Sequence, residues 1–166
     1  MIKSGKIRLN DKMGGSGGFT IVEVLVAVAV VAMVMTAVVS GVSFSVKNTR
    51  FARDQALAVR YTQEALEWIR QVRDESGWRT FTNELGNDGN PVSYCLMSIP
   101  ATFAEFVALV NGLCQAGEVI GGTIYTRQMS LDLTGNEATA EVSVTWDEGG
   151  QTKEVLQRST LHDWQK

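Results

Sequence analysis

The sequence is poor in the residue types that most often carry catalysis or hold metal ions. Its 166 residues include one histidine, two cysteines and two prolines. The cysteines, Cys95 and Cys114, do not have the Cys-x-x-Cys spacing of zinc sites, so no metal site is expected. His162 has no serine or cysteine that the sequence marks as its partner. We therefore expect no catalytic residue, no cofactor and no enzyme activity.

An excess of positive charge is also absent. The formal net charge is −3 at pH 7, whereas nucleic-acid-binding domains are usually basic. The glycine-rich segment 14–18 is not followed by the Gly-Lys-Ser/Thr of a phosphate-binding loop, and no strand precedes it. These features argue against binding of nucleic acids and of nucleotides.

The first 18 residues lack the apolar stretch that an ordinary secretory signal places before its cleavage site. They are basic and then rich in glycine, and the apolar residues begin only at Phe19. Cleavage at the glycines would therefore leave the apolar residues on the mature chain. It would remove four basic residues and one acidic residue, which changes the net charge from −3 to −6.

A single apolar run extends from Phe19 to Val46. As an α-helix it would be about 42 Å long, enough to cross a hydrocarbon core of about 30 Å. Valine is abundant and favours strands in water, but a lone strand cannot satisfy its backbone hydrogen bonds in lipid. We therefore predict a transmembrane helix over residues 19–46.

The helical pattern continues through residues 47–74, which contain neither proline nor glycine. Apolar residues recur there at steps of three or four, as on one face of a helix. Ser76-Gly77 provides a stop signal. We predict one helix from about residue 19 to about residue 74, whose second half has an apolar stripe formed by Leu57, Tyr61, Ala65, Trp68 and Val72.

The remainder predicts a small antiparallel sheet. The segment 77–122 has no regular pattern apart from a candidate short helix at 102–113. Beyond it, apolar and polar residues alternate in two runs, a third run follows, and glycine-containing turns separate the three, which is typical of a meander. One face of this sheet is expected to pack on the amphipathic half of the helix. The three runs cover residues 125–133, 140–146 and 152–161.

Two interpretations of the cysteines follow from the sequence. In an exported domain, Cys95 and Cys114 indicate one disulfide, which would stabilise the fold by about 3 kcal/mol in the chain-entropy treatment. The alternative is a pair of free thiols.

The segment Gly18-Phe19-Thr20-Ile21-Val22-Glu23 resembles the processing site of type IV pilins and type II secretion pseudopilins. The resemblance implies cleavage by a prepilin peptidase between Gly18 and Phe19, N-methylation of Phe19, and Glu23 as fifth residue of the mature chain. It also implies an α+β, pilin-like fold, in which a long N-terminal helix spans the membrane with its first half and packs on a small antiparallel sheet with its second half.

Glu23 is the only charged residue between Phe19 and Val46. A carboxylate inside a spanning segment carries a large insertion cost, and such residues are usually functional. The resemblance implies that it pairs with the α-amine of Phe19 on a neighbouring subunit and sets the register of assembly. The alternative is that Glu23, only four residues into the run, reaches the lipid headgroups.

Two features differ from many major pilins. Ser40-Gly41 stands where those proteins often have a proline, and we expect a weak point of the helix there. The cysteines precede the predicted sheet instead of lying near the C-terminus, which favours a minor subunit. The basic leader favours a cytoplasmic N-terminus. Lys47, Arg50 and Arg53 follow the apolar run, however, and reduce the difference in positive charge between its two ends.

The resemblance therefore implies a leader at 1–18, a transmembrane helix half at 19–46 and an extracytoplasmic head at 47–166, which includes the helix half 47–74. The chain would be a structural subunit, more like a minor than a major one, of a type IV pilus or type II secretion pseudopilus. It would lie in the inner membrane as a single-pass protein before joining the filament. Its partners would be prepilin peptidase, other pilin or pseudopilin subunits, the inner-membrane assembly platform and membrane lipid. The alternative is a bitopic, membrane-anchored binding module that does not polymerise.

Overall fold

The computed structural model describes residues 18–86 and 90–163, and its architecture is that of an α+β protein. Within these residues a long N-terminal helix is followed by a small antiparallel sheet, which confirms the predicted class. Most of the predicted leader lies outside the described residues. The helices and strands are α1 (Ile21–Ser76), α2 (Trp78–Leu85), β1 (Val92–Cys95), α3 (Phe103–Val107), β2 (Thr126–Thr134), β3 (Glu137–Glu148) and β4 (Gln151–His162).

Helix α1 confirms the predicted long helix, with each end about two residues later than expected. At its start, the Oγ1 of Thr20 accepts a hydrogen bond of 3.2 Å from the backbone N–H of Glu23, as an N-cap residue does. At its end, Gly77 adopts a positive φ of 76°, a conformation that glycine adopts without steric cost.

The chain divides into two compact units, residues 1–46 and residues 47–166. In the first unit, every described residue is exposed. By length and composition, α1 is the one helix of the described residues that is able to cross a membrane.

In the second unit, the four strands form one antiparallel sheet in the order β1-β2-β3-β4. The last three strands are the predicted meander, and two-residue turns connect them, with Thr134 opposite Glu137 and Glu148 opposite Gln151. Gly149 and Gly150 have φ values of 62° and 79°, which suit a tight hairpin turn.

Three predictions for the segment 77–122 were wrong. Helix α2 forms where no regular structure was expected, because Phe81 and Leu85 lie four residues apart and both enter the core. Strand β1 was missed because four residues are too few to show alternation; β2 supplies its pairing. The candidate helix at 102–113 is only α3, which ends at Val107.

The face of α1 that packs on the sheet agrees only in part with the predicted stripe. Ala65 and Val72 are buried as predicted, whereas Leu57, Tyr61 and Trp68 are partly buried and pack against the edge of the core. The other buried positions lie about one residue further along and include small side chains, which allow close approach of helix and sheet. The buried residues of α1 are Ala58, Thr62, Ala65, Leu66, Ile69 and Val72.

Candidate functional site

The predicted cleavage site lies just before α1. Gly18, Phe19 and Thr20 are not helical and are exposed, and a Cβ added at Gly18 would meet no atom within 4 Å. The peptide bond between Gly18 and Phe19 is therefore sterically accessible in this chain. The roles of both residues in processing stay predictions.

Glu23 occupies the first turn of α1. The sequence Thr20-x-x-Glu23 has the spacing of a capping box, a signal that the sequence analysis did not use. Because the N-terminal end of a helix carries partial positive charge, a carboxylate is favourable at this position. The structure contains one chain, so pairing of Glu23 with Phe19 of a neighbour stays a prediction.

Helix α1 is continuous across Ser40-Gly41. The Oγ of Ser40 donates to the carbonyl of Thr36 at 2.9 Å, and the Oγ1 of Thr36 donates to the carbonyl of Ala32 at 2.8 Å. Hydroxyls that bond the preceding turn in this way weaken and bend helices slightly. A weak point at this position thus stays a prediction for the assembled state.

In the head, Cys95 and Cys114 form a disulfide, as expected for an exported domain, with their Cα atoms 4.8 Å apart. Cys95 ends β1, so the bond ties the segment 96–113 to the edge of the sheet. A carboxylate oxygen of Glu118 lies within 4.8 Å of both sulfurs. Disulfide sulfurs are not thiolates, which are the species that bind metal ions.

Arg127 is a buried charge that the sequence analysis missed. It lies on β2 with 1% of its surface exposed. Its Nη1 donates to Glu64 Oε2 at 2.9 Å and to the Tyr61 carbonyl at 3.3 Å, and its Nε donates to the Leu96 carbonyl at 3.2 Å. Burial lowers the pKa of Arg127, and the Glu64 carboxylate opposes that shift.

This arginine joins three parts of the head. Tyr61 and Glu64 belong to α1, and Leu96 follows the disulfide cysteine Cys95. The Leu96 N–H donates to the Arg127 carbonyl at 2.9 Å, and the Sγ of Cys114 lies 3.3 Å from the same oxygen. Arg127 therefore holds the amphipathic half of α1, the sheet and the disulfide-closed segment together. We call this arrangement the Arg127 clasp.

A second polar link lies nearer the start of the head. The buried Tyr125 donates its hydroxyl to Asp54 Oδ1 at 3.2 Å. Burial, reinforced by the hydrogen bond to Asp54, raises the pKa of Tyr125 to about 12. The tyrosine ring also contacts the rings of Tyr61 and Trp146, with centroids 5.4 Å and 5.9 Å away.

An open groove of about 650 Å³ lies between α1 and β4 in the head. Its two arginines already have carboxylate partners, since Arg70 pairs with Glu67 and Arg158 with Glu141. Neither cysteine nor histidine lines this groove, so it presents no nucleophile beside a base. The lining residues are Gln63, Leu66, Glu67, Arg70, Gln157 and Arg158.

Comparison with known proteins identifies the N-terminal segment. Residues 13–39 match the family model described as the prokaryotic N-terminal methylation motif. The matched segment includes Gly18, Phe19 and Glu23, and it confirms the resemblance found in the sequence. Comparisons with curated proteins and with solved structures gave no match.

Proposed function

We propose that this chain, which carries the N-terminal methylation motif of the type IV pilin and type II secretion pseudopilin family, is a structural subunit of such a filament. The observation that carries the proposal is the position of the motif. It stands at the beginning of a helix that is long and apolar enough to cross a membrane. Proteins of this family are structural and not catalytic.

Maturation would begin with a prepilin peptidase that hydrolyses the bond between Gly18 and Phe19. The cut removes the basic leader and creates a free α-amine at Phe19, which is then N-methylated. The methylated amine keeps its positive charge at neutral pH, and it would lie four residues from the carboxylate of Glu23. Each mature chain would therefore bring one cation and one anion to the same end of α1.

In the filament, the Phe19 amine of one subunit would neutralise Glu23 of its neighbour. Both charges are costly in an apolar bundle when they are unpaired and much less so when they are paired. Only one longitudinal offset between neighbouring helices brings the two groups together, so the pair would set the register. The small and β-branched side chains of residues 19–46 would supply van der Waals contacts between helices.

The head would lie outside the cytoplasm of a cell with an inner membrane. A disulfide between Cys95 and Cys114 fits an oxidising compartment. The cysteines precede the meander of β2, β3 and β4, which supports a minor subunit. Its partners would be prepilin peptidase, other pilin or pseudopilin subunits, the inner-membrane assembly platform and membrane lipid.

The test of this function is the N-terminus of the native protein. In cells with a working prepilin peptidase, mass spectrometry should find a chain that begins at N-methylated Phe19. The variant Gly18→Leu should stay uncut, whereas the control Gly15→Ala should be processed normally. A wild-type chain that retains Met1 in such cells would contradict the proposal and favour a bitopic binding module that does not polymerise.

A further inference from the structure

Three basic residues follow the apolar run directly. Lys47 comes immediately after Val46, and Arg50 and Arg53 follow at steps of three. On helix α1 such steps place the three side chains within an arc of about 120°. All three residues are exposed, and the Arg53 side chain is 79% exposed.

These cations have little intramolecular compensation. Among the described residues, the structure gives no ion pair to Lys47 or Arg50. The Arg53 Nε lies 4.0 Å from Asp54 Oδ1, but that oxygen also accepts the hydrogen bond from Tyr125. Residues 47–56 thus carry three basic and one acidic side chain, in a chain whose whole net charge is negative.

Their height along the helix matches that of lipid headgroups. From Lys47 to Arg53 the helix rises about 9 Å, and the headgroup layer on each side of the hydrocarbon core is roughly 5–8 Å thick. Lysine and arginine place their aliphatic stems along apolar surface and their charge in the polar layer. If Val46 marks the end of the hydrocarbon, Lys47 and Arg50 lie about 1.5 Å and about 6 Å beyond it, within the headgroup layer. Arg53 lies about 10.5 Å beyond it, and its side chain leans back toward that layer because side chains on a helix tilt toward the helix N-terminus.

We propose that Lys47, Arg50 and Arg53 form a docking surface for the phosphate groups of anionic lipids, in the leaflet on the side of the head. We call this surface the basic patch. The inference rests on the membrane placement in the proposed function. Cleavage after Gly18 removes the basic residues of the leader, so the basic patch becomes the main cationic contact of the mature chain with the bilayer.

The basic patch therefore has a role before assembly. It holds the end of the spanning helix at the height of the headgroups. A subunit that leaves the membrane for a filament has to give up these phosphates. Retention in the membrane thus depends on the anionic lipid content of that leaflet.

The test uses the full mature chain reconstituted in bilayers. Spin-labelled phosphatidylglycerol and phosphatidylcholine report the relative association of each lipid with the protein. The wild type should prefer phosphatidylglycerol, and added salt should weaken the preference. The variant Lys47→Gln with Arg50→Gln should lower the preference by about fivefold for each side chain removed.

A matched control removes the same number of charges elsewhere in the head. Arg60 lies about 20 Å beyond Lys47 along α1, and Arg79 lies in α2. The variant Arg60→Gln with Arg79→Gln should keep the wild-type preference, and circular dichroism checks that both double variants are folded. The inference would be overturned if both double variants lost the preference for phosphatidylglycerol equally, or if Lys47→Gln with Arg50→Gln kept it.

Two further arms separate the possible sources of failure. If the wild type binds inorganic phosphate but shows no preference for phosphatidylglycerol in bilayers, the basic patch binds a free ion and the lipid assignment is wrong. Cleavage at Gly18 and incorporation into filaments are scored independently, in cells that express the precursor. A wild type that is cut and assembled but has no lipid preference refutes the basic patch alone. A wild type that prefers phosphatidylglycerol but is never cut refutes the proposed function alone.

Discussion

The Arg127 clasp makes a quantitative prediction for the variant Glu64→Ala. The change removes the carboxylate from a guanidinium that is only 1% exposed and leaves it with the Tyr61 and Leu96 carbonyls. Breaking a fully buried ion pair costs about 3–5 kcal/mol, whereas exposed pairs contribute roughly 0.2–1 kcal/mol. The Glu64 side chain is 54% exposed, so in the variant water occupies part of its place and hydrogen-bonds to the Arg127 guanidinium. We expect a loss of about 1–2 kcal/mol in the free energy of unfolding.

The measurement is denaturation of the full chain in detergent. Near-ultraviolet circular dichroism, which reports the aromatic packing of the head, is used to monitor the unfolding. For a head of this size, about 1 kcal/mol corresponds to a shift of the melting temperature by roughly 3–6 °C. The matched control is Glu67→Ala, which removes the exposed partner of Arg70 from the same helix and should cost less than about 1 kcal/mol. Equal effects of the two variants would refute the idea that the clasp joins α1 to the sheet.

Two other perturbations of the head have defined outcomes. Replacing both Cys95 and Cys114 with serine should lower the free energy of unfolding by about 3 kcal/mol. A reducing agent should lower the stability of the wild type by a similar amount and leave the variant unchanged. A wild type whose stability does not change on reduction would contradict the stabilising role of the disulfide. Tyr125 has a folded-state pKa of about 12, above the ordinary value of about 10. Its contribution to stability should be complete below about pH 10 and be lost as the pH rises towards 12, because the unfolded tyrosine ionises first. Denaturation at several pH values should show a smaller loss in this window for Tyr125→Phe, and an identical loss would contradict the assignment.

Much of the fold followed from periodicity because local signals and tertiary structure agree. Residues 19–76 contain no proline and one glycine, Gly41, so a continuous helix was predictable. The strands β2 and β3 alternate apolar and polar residues and end at glycine turns. The match of residues 13–39 likewise depends on local sequence alone.

The errors arose where distant residues decide the structure. Strand β1 forms because β2 pairs with it, and four residues carry no pattern of their own. The packing face of α1 also includes Ala58 and Thr62, which the predicted stripe lacked because their small size matters only against a sheet. Arg127 was detectable as a charge at an inward position of β2, between Tyr125 and Met129, but its partner Glu64 lies 63 residues away.

The most direct test of the central claim concerns Glu23. The variant Glu23→Gln keeps the size of the side chain and its hydrogen-bonding capacity but removes the charge that would neutralise the Phe19 amine of a neighbour. In cells that assemble the filament, we predict normal abundance and normal cleavage after Gly18 but loss of the variant from purified filaments, while the surface control Glu67→Gln is incorporated. Incorporation of Glu23→Gln at the wild-type level would contradict the account.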